Sequence, residues 1–363
     1  MIEPFEIDED IGRARALPGE FYHRADWFER QRQSIFARSW QFVGDEQDLA
    51  GETNVRPGVI LDGCLDEPIV LTRDADSTVR CLSNVCTHRG AIVAPADAVA
   101  RRLACRYHGR TYALDGRCTH MPAFDGVVGF PAPEDSLRAL ALGRWDRLLF
   151  ASLDPHVAFD ALCGPLRDRL AFVPLASARL DAAASRTYEV PSHWALYCDN
   201  YLEGFHVPFV HAQSLGPVLD WDAYETHLFE HASLQVGIAR GDEDAFRLPA
   251  GHADGVRRIA AYYVFLFPNT MLNFYPWGLS INVVTPRGPT ASRVRYVTYV
   301  WDESLRTRGA GADLHRVEME DEAIVASVQV GVRSRNYQRG RYSPTQERAV
   351  HHFHRQIAAA AFG

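Results

Sequence analysis

The sequence contains no lysine, because all 38 of its basic residues are arginine. This absence excludes every mechanism that needs a lysine side chain, including Schiff-base catalysis, pyridoxal phosphate chemistry and the phosphate-binding P-loop. The formal net charge of −8 over 363 residues argues against a nucleic-acid-binding protein, which usually carries a basic excess. Nucleic acid is therefore not expected as a partner.

Long apolar runs are also missing. The run Ala260 to Phe267 is among the longest, and it is far shorter than the ~18–20 residues that span a bilayer. The segment that begins Met1-Ile2-Glu3 lacks the basic and apolar regions of a signal peptide. Seven cysteines, an odd number, favour free thiols or metal ligands over disulfides. These features predict a cytoplasmic protein with no membrane association.

Hydrophobic periodicity divides the chain into three parts. Residues 1–46 predict an N-terminal helical segment that packs on the last part. Residues 47–155 contain short β-like runs between Gly, Asp and Pro signals, which predict a compact all-β module. Residues 156–363 alternate helical with β-rich stretches, which favours an α+β domain with an antiparallel sheet. The expected helices in this part lie near 192–206, 315–332 and 345–361, and the expected strands near 260–267, 270–275, 279–285 and 292–302.

Two cysteines and two histidines occur in a paired pattern. Each of two short loops supplies one cysteine and one histidine, in the segments Cys86-Thr87-His88-Arg89-Gly90 and Cys105-Arg106-Tyr107-His108-Gly109. Zinc is one alternative, although structural zinc usually pairs cysteine with cysteine at short spacing. The mixed supply suits a [2Fe–2S] cluster with thiolates on one iron and imidazoles on the other, as in a Rieske centre. A zinc-stabilised binding protein remains the competing hypothesis.

A second constellation places His206 and His211 five residues apart behind acidic side chains. On a helix, Asp199, Glu203 and His206 share one face. Pro208 is expected to bend the chain and to bring His211 to the same side. Two imidazoles and one carboxylate form the facial triad that holds mononuclear iron(II).

The carboxylate of that triad is sought in the acidic run 318–322, which offers four choices. A helical projection puts Asp321 at the centre of an apolar stripe, with Glu320 and Glu322 on opposite sides and Glu318 at its edge. Burying a carboxylate there is costly unless a metal or another partner compensates it. Asp321 is therefore the predicted ligand. The stripe consists of Val317, Ile324, Val325, Val328 and Val332.

These motifs resemble a known family. The pattern C-T-H-R-G…C-R-Y-H-G is similar to the signature C-x-H-R-G…C-x-x-H-G of Rieske oxygenases. A second pattern resembles that of the α subunits of Rieske non-heme iron, aromatic-ring-hydroxylating oxygenases. It consists of an acidic residue, two spacers, His, four spacers, His and a distant Asp. The resemblance covers nearly the whole chain. It implies an α+β fold in which an all-β Rieske [2Fe–2S] domain is inserted into a helix-grip catalytic domain with a curved antiparallel sheet.

The resemblance implies a role for each motif residue. Glu203 takes the position of the carboxylate that links a Rieske histidine to an iron-ligating histidine, and Asn200 matches an asparagine near the iron. Many family members have Asp where this chain has the longer Glu203. The implied cluster ligands are Cys86, His88, Cys105 and His108. The implied ligands of the mononuclear iron are His206, His211 and Asp321.

The implied activity is that of a terminal oxygenase, which uses O2 and externally supplied electrons. In related enzymes a head-to-tail homotrimer brings each Rieske cluster beside the iron of the next subunit. Gly309-Ala310-Gly311 lacks the third glycine of a dinucleotide fingerprint, and no plant-type iron–sulfur motif occurs. Electrons from NAD(P)H are therefore expected to arrive through a separate flavin and iron–sulfur reductase.

The substrate is indicated by a narrower resemblance. The segments 206–211 and 328–354 resemble choline monooxygenase and the betaine or carnitine oxygenases, which implies hydroxylation beside a quaternary nitrogen or oxidative N-demethylation. An aromatic acid is the alternative substrate, and a Rieske electron-transfer protein is the alternative without oxygenase activity. An aromatic cage favours a trimethylammonium group. Candidates for it, each also suited to the core, are Tyr262, Tyr263, Phe265, Phe267, Phe274, Tyr275 and Trp277.

Overall fold

A computed structural model of the chain describes residues 2–362. The chain forms two compact units. One unit joins the residues up to Phe36 with those from Val157 onward, and the other spans Ala37–His156. Helices and antiparallel sheets occur together, which confirms the predicted α+β class.

The Ala37–His156 unit is built from three small antiparallel sheets with the strand orders β1-β9-β8, β2-β3-β4 and β5-β6-β7. Its hydrophobic core includes Val55, Val70, Leu82 and Tyr112 together with the buried Cys86. Strands β4 and β5 each lead into a loop that carries one Cys–His motif. The strands are β1 (Gln41–Asp45), β2 (Val55–Ile60), β3 (Glu67–Arg73), β4 (Val79–Ser83), β5 (Leu103–Ala104), β6 (Thr111–Tyr112), β7 (Cys118–His120), β8 (Ala141–Trp145) and β9 (Leu148–Ser152).

The other unit contains a seven-stranded antiparallel sheet in the order β10-β16-β15-β14-β13-β12-β11. Strands β13 and β14 are buried along their whole length, as expected for central strands covered on both faces. The strands are β10 (Arg179–Val190), β11 (Glu225–Phe229), β12 (Ala232–Ile238), β13 (Ile259–Leu266), β14 (Thr270–Tyr275), β15 (Gly278–Gly288) and β16 (Ala291–Val300). The helices are α1 (Ala25–Ser34), α2 (Phe159–Arg169), α3 (Trp194–Tyr201), α4 (Val207–Val210), α5 (Leu314–Gly331) and α6 (Arg348–Phe362).

Helix α3 positions the second motif because it packs against both β15 and α5. Its first turn is fixed by His193, whose side chain accepts a hydrogen bond from the backbone N–H of Ala195. The neighbouring Trp194 is fully buried. Since α5 carries the acidic run, this packing brings the two distant motifs of the sequence together.

The N-terminal segment predicted to be helical over residues 1–46 is helical only in part. Helix α1 ends at Ser34, and residues from Gln41 onward form β1. Phe42 lies opposite Phe150 of β9, with ring centroids 5.7 Å apart. Pairing with a strand a hundred positions away overrides the local helical pattern.

Within residues 2–362, no helix combines the length and the apolar content required to cross a membrane. All seven cysteines are free and buried. Cys81 and Cys118, which lie outside the two motif loops, are among them.

Candidate metal centres

Two loops in the Ala37–His156 unit carry the paired motifs and fold in the same way. The N–H of Gly90 donates to the carbonyl of Cys86 over 2.9 Å, and the N–H of Gly109 donates to that of Cys105 over 3.0 Å. The two glycines have φ of 73° and 75°, a left-handed conformation that favours glycine. The motifs therefore form matching tight turns, and the cysteine that opens each turn is buried.

The side chains of these loops separate by polarity. Cys86 and Cys105 are buried, whereas His88 is partly exposed and His108 is exposed, with their ring centroids 4.8 Å apart. Burial raises the pKa of the Cys86 thiol, but hydrogen bonds from the Tyr112 hydroxyl and from the backbone outweigh it and leave the pKa below its usual value. Two thiols inside and two imidazoles outside form a donor set that fits a cluster with two inequivalent irons.

Arg110 braces the two loops without a disulfide. Its guanidinium, 3% exposed, donates to the Thr87 hydroxyl over 2.8 Å and pairs with Asp135 at 3.2 Å. It also lies over the rings of Phe124 and Phe130, at 5.4 and 5.3 Å from their centroids. Sequence reasoning missed this residue because Asp135, Phe124 and Phe130 lie in segments that carry no recognisable motif.

The second centre brings together His206, His211 and Asp321. One ligand atom of each lies within 4.8 Å of the other two. Nε2 of His211 is 2.9 Å from Oδ1 of Asp321, and Nε2 of His206 is 3.5 Å from the same oxygen. Two imidazole nitrogens and one carboxylate oxygen thus point at a common volume, as in the facial triad of non-heme iron.

A carboxylate lies behind each histidine. Glu203 Oε1 is 2.6 Å from Nδ1 of His206, and Glu320 Oε2 is 2.7 Å from Nδ1 of His211. Glu320 also accepts a hydrogen bond from the Ser214 hydroxyl. Carboxylates on Nδ1 fix the ring orientation and leave Nε2 available as a ligand atom. Among the acidic residues of 318–322, Glu320 therefore contacts a histidine instead of pointing at the common volume.

The charges at this centre call for a cation. Burial alone would lower the pKa of His206, but hydrogen bonds to Asp321 and Glu203 raise it to about 9. Burial raises the pKa of Asp321, but hydrogen bonds to both imidazoles lower it by more. The pKa of Asp321 is therefore below its usual value. Three carboxylates converge on two imidazoles, so the site favours a bound cation, and this donor set fits a divalent metal.

The chain path between the two histidines differs from the expected one. Pro208 does not mark the bend but lies in the first turn of α4, whose hydrogen bonds run from His206 to His211. The break comes earlier, around Gly204, where a Cβ atom would lie 2.9 Å from the ring of Trp221. Glycine is needed there because the Trp221 ring packs directly on the backbone.

Asp199 does not share a face with Glu203, because α3 ends before Glu203. The Asp199 carboxylate instead accepts from the Tyr22 hydroxyl over 3.3 Å and lies 2.8 Å from Nε2 of His354. Asn200, the adjacent residue, lines a cavity that also reaches His206, His211 and Asp321. Asn200 therefore lies close to the centre, whereas Asp199 ties α3 to the terminal segments of its unit.

The buried face of helix α5 matches the projection only in part: Val325 and Val332 are 2% and 5% exposed, as predicted. Ile324 and Val328, expected beside Asp321 in the apolar stripe, are 39% and 40% exposed. Glu318, expected at the edge of the stripe, is 1% exposed. Local periodicity could not reveal that two tyrosines of other elements cover this carboxylate. The buried residues of the helix are Glu318, Val325 and Gln329.

The cavity beside the second centre has seven aromatic residues among the twenty that line it. Of the seven aromatic residues proposed from sequence, Tyr263 and Tyr275 line it. Its charged lining residues, among those that the structure describes, are Glu203 and Asp321 besides the two imidazoles. Further aromatic lining comes from Tyr197, Tyr201, Trp221, Tyr224 and Tyr296, which sequence reasoning did not select.

Comparison of the sequence with models of known protein families finds one matching family in each of the two units. The Rieske [2Fe–2S] domain matches residues 39–131. The ring hydroxylating alpha subunit (catalytic domain) matches residues 177–361, which is more than half of the chain.

Individual relatives match along almost the full length. The chloroplastic choline monooxygenase of Arabidopsis thaliana is 30% identical, over 98% of this chain and 85% of the relative. The carnitine monooxygenase oxygenase subunit of Escherichia coli (strain K12) is 29% identical, over 95% of this chain and 93% of the relative. A solved quaternary ammonium Rieske monooxygenase has the same fold, with a TM-score of 0.81, 24% identity, and coverage of 99% of this chain and 100% of that chain.

Proposed function

Because this chain belongs to the Rieske non-heme iron oxygenases with a ring-hydroxylating alpha-subunit catalytic domain, we propose that it hydroxylates or oxidatively N-demethylates a small quaternary ammonium compound. Membership of this enzyme family confirms the resemblance stated from the motifs. The observation that carries the proposal is the convergence of His206, His211 and Asp321 beside an aromatic cavity.

The proposed metal ligands follow from the donor chemistry. Cys86, His88, Cys105 and His108 would hold the [2Fe–2S] cluster, supported by their two matching turns. When bound, a Rieske cluster supplies single electrons and a mononuclear iron(II) supplies a site for O2 activation. The second centre supports that iron because its ligand atoms converge and because carboxylates orient both imidazoles. The ligands proposed there are His206, His211 and Asp321.

Glu203 is proposed to link the two kinds of centre across a homotrimer. Its carboxylate contacts Nδ1 of the His206 ring and accepts a hydrogen bond from the backbone N–H of the same residue, so it holds His206 through two contacts. Phe205 and Phe209, which lie between Glu203 and His211 in the sequence, are 48% and 78% exposed, as expected for a surface that another subunit covers. In the proposed assembly Glu203 faces His108 of the partner subunit.

Electrons are proposed to come from NAD(P)H through a separate flavin and iron–sulfur reductase. The motifs of this chain account for a cluster and a mononuclear iron but for no nicotinamide site. Seven free thiols suit a reducing compartment, and we propose a cytoplasmic location.

The cavity supports a cationic substrate over an aromatic acid. Aromatic faces attract a quaternary ammonium group, which cannot donate a conventional hydrogen bond. An aromatic carboxylate would favour an arginine, and among the described residues that line this cavity none is an arginine. The relatives named above are choline and carnitine monooxygenases, which agrees with this choice. The cage would be formed by Tyr201, Trp221, Tyr224, Tyr263 and Tyr275.

Metal analysis of the anaerobically purified protein tests the two centres. We expect about three irons and about two acid-labile sulfides per chain, with a Rieske-type EPR signal after reduction. His206→Ala should lose the mononuclear iron and keep the sulfide. His227→Ala, whose side chain pairs with Glu225 away from the centre, is the matched control. Zinc without sulfide, or unchanged iron in His206→Ala, would contradict the proposal.

Substrate oxidation tests the chemical class. With a reductase from a related system, choline and γ-butyrobetaine should stimulate O2 uptake with formation of aldehyde or formaldehyde, and benzoate should not. Product from benzoate alone would support the aromatic-acid alternative. Electron transfer that continues unchanged in His206→Ala, without oxygenated product from any substrate, would support an electron carrier.

A further inference from the structure

Glu318 is a buried carboxyl group that the proposed metal sites leave unused. It is 1% exposed, and its Oε2 accepts hydrogen bonds from the Tyr197 hydroxyl at 2.5 Å and from the Tyr296 hydroxyl. Its Oε1 is buried and has no donor other than the neighbouring carboxyl group of Glu322. An acidic group in such a place costs free energy, so its presence calls for a function.

Both tyrosine partners of Glu318 line the aromatic cavity, together with His211 and Asp321. Each phenol has one hydrogen, and each donates it to Glu318, away from the cavity. The two hydroxyl oxygens lie 3.0 Å apart. The remaining lone pairs of the two hydroxyl oxygens are therefore available at the cavity wall. They make the wall electronegative beside Tyr197 and Tyr296.

The protonation of Glu318 does not reverse this polarity. Burial raises its pKa to about 8 although the two hydroxyls lower it, and the neighbouring Asp321 and Glu322 add to the rise. A proton on Oε1 still leaves Oε2 as the acceptor for both phenols. The hydroxyl dipoles keep their orientation in either state, and the ionised state adds a negative charge.

An aromatic cage by itself matches the shape of a trimethylammonium group and of its neutral tert-butyl isostere. The ring faces favour the cation by cation–π attraction, and an additional electronegative group in the cavity wall increases the discrimination. We propose that Glu318 is a specificity-determining residue that acts through Tyr197 and Tyr296: it makes the inner cavity wall electronegative and so selects a quaternary ammonium ligand over the neutral isostere. This inference rests on the proposed function, whose substrate selectivity it explains.

Binding measurements on the anaerobic holoenzyme test this role without relying on turnover. Isothermal titration calorimetry compares choline with 3,3-dimethylbutan-1-ol, and γ-butyrobetaine with 5,5-dimethylhexanoate, which differ only in replacing nitrogen by carbon. In Glu318→Leu, which offers no acceptor to the phenols, we expect cation affinity to fall about tenfold and isostere affinity to change less than about threefold. Glu318→Gln retains an acceptor oxygen and should recover part of the selectivity.

Tyrosine variants provide a second test should Glu318→Leu fail to fold. Tyr197→Phe and Tyr296→Phe keep the rings and remove the oxygens, so each should reduce the preference for the cation. Tyr188→Phe is the matched control, since the Tyr188 hydroxyl contacts His315 outside the cavity lining.

The outcomes separate this inference from the proposed function. Equal weakening of cation and isostere in Glu318→Leu would indicate a purely structural role and would overturn the inference. A preference for the cation that is undiminished in all the variants would overturn it as well, and would leave the proposed substrate class intact. A wild-type protein with no preference for either cation would overturn both.

Discussion

Glu320 lies 2.7 Å from Nδ1 of His211, which repeats the relationship between Glu203 and His206 at the other side of the centre. Glu320 is further held by the hydroxyl of Ser214 at 2.6 Å. Each imidazole is thus oriented by a carboxylate on one nitrogen, while its other nitrogen points toward Asp321. The centre is prearranged by residues that do not themselves point into it.

Removing the charge of Glu320 should weaken metal binding without unfolding the protein. Glu320→Gln retains the shape of the side chain but orients His211 less strongly, and we expect iron affinity to fall by about 10–100-fold. The measurement is the iron content left after dialysis against graded chelator concentrations, with sulfide content as the internal reference. Glu322→Gln, on the same helix but without a contact to either histidine, is the control. Equal iron retention in both variants would contradict the role of Glu320.

The loops of the Rieske domain should depend on Arg110 more than on any surface ion pair. Arg110 is 3% exposed and contacts both Thr87 and Asp135, so Arg110→Met removes the cation paired with the Asp135 carboxylate and should destabilise this domain by about 3 kcal/mol. The control is Arg117→Met, because Arg117 is 74% exposed and its pairing with Asp115 contributes about 0–1 kcal/mol. Thermal unfolding and sulfide content measure the difference. Comparable losses in the two variants would show that Arg110 does not brace the cluster loops.

Much of the architecture could be predicted because its signals are local. The strands over 270–275 and the helix near 315–332 follow from short-range patterns, and the observed elements Thr270–Tyr275 and Leu314–Gly331 lie close to these ranges. The motif residues of both centres could likewise be selected by spacing and by resemblance. Their roles as ligands stay predictions that metal analysis has to test.

The partners of those residues could not be predicted, since they come from distant segments. The acceptor role of Glu318 depends on Tyr197 and Tyr296, which lie 121 and 22 positions away. Helical projection gave Glu318 an edge position because it counts apolar neighbours on one helix and cannot see what packs against it. The position of the bend was missed for the same reason, because the need for glycine at 204 arises from the ring of Trp221.

Gly204→Ala should therefore disturb the second centre. Its Cβ atom would lie 2.9 Å from the Trp221 ring, so the ring or the segment before His206 has to shift. We expect a stability loss of about 1–3 kcal/mol and a larger relative loss of substrate oxidation. Gly164→Ala is the control, because that glycine lies within α2 with open space around it and alanine there should be neutral or stabilising. Wild-type stability and activity in Gly204→Ala would contradict the packing constraint.

The stability of the protein should depend on pH through Glu318. Burial raises the pKa of this carboxyl group from its ordinary 4.5 to about 8 in the folded state, with Tyr197 and Tyr296 opposing the rise and Asp321 and Glu322 adding to it. The folded state therefore holds a proton that the unfolded chain releases.

A raised pKa of this kind contributes stability below the unfolded pKa, and the contribution is lost as the pH increases through the folded pKa. Glu318→Gln carries no proton to lose. Between pH 5 and pH 8 the free energy of unfolding of the wild type should therefore decrease relative to that of Glu318→Gln, by on the order of 3 kcal/mol. Denaturant unfolding of the holoenzyme across this range measures the difference. The control is Glu230→Gln, because the Glu230 side chain is 84% exposed. Its free energy of unfolding should have the same pH dependence as that of the wild type. The same pH dependence in Glu318→Gln would show that Glu318 is not buried in its acid form.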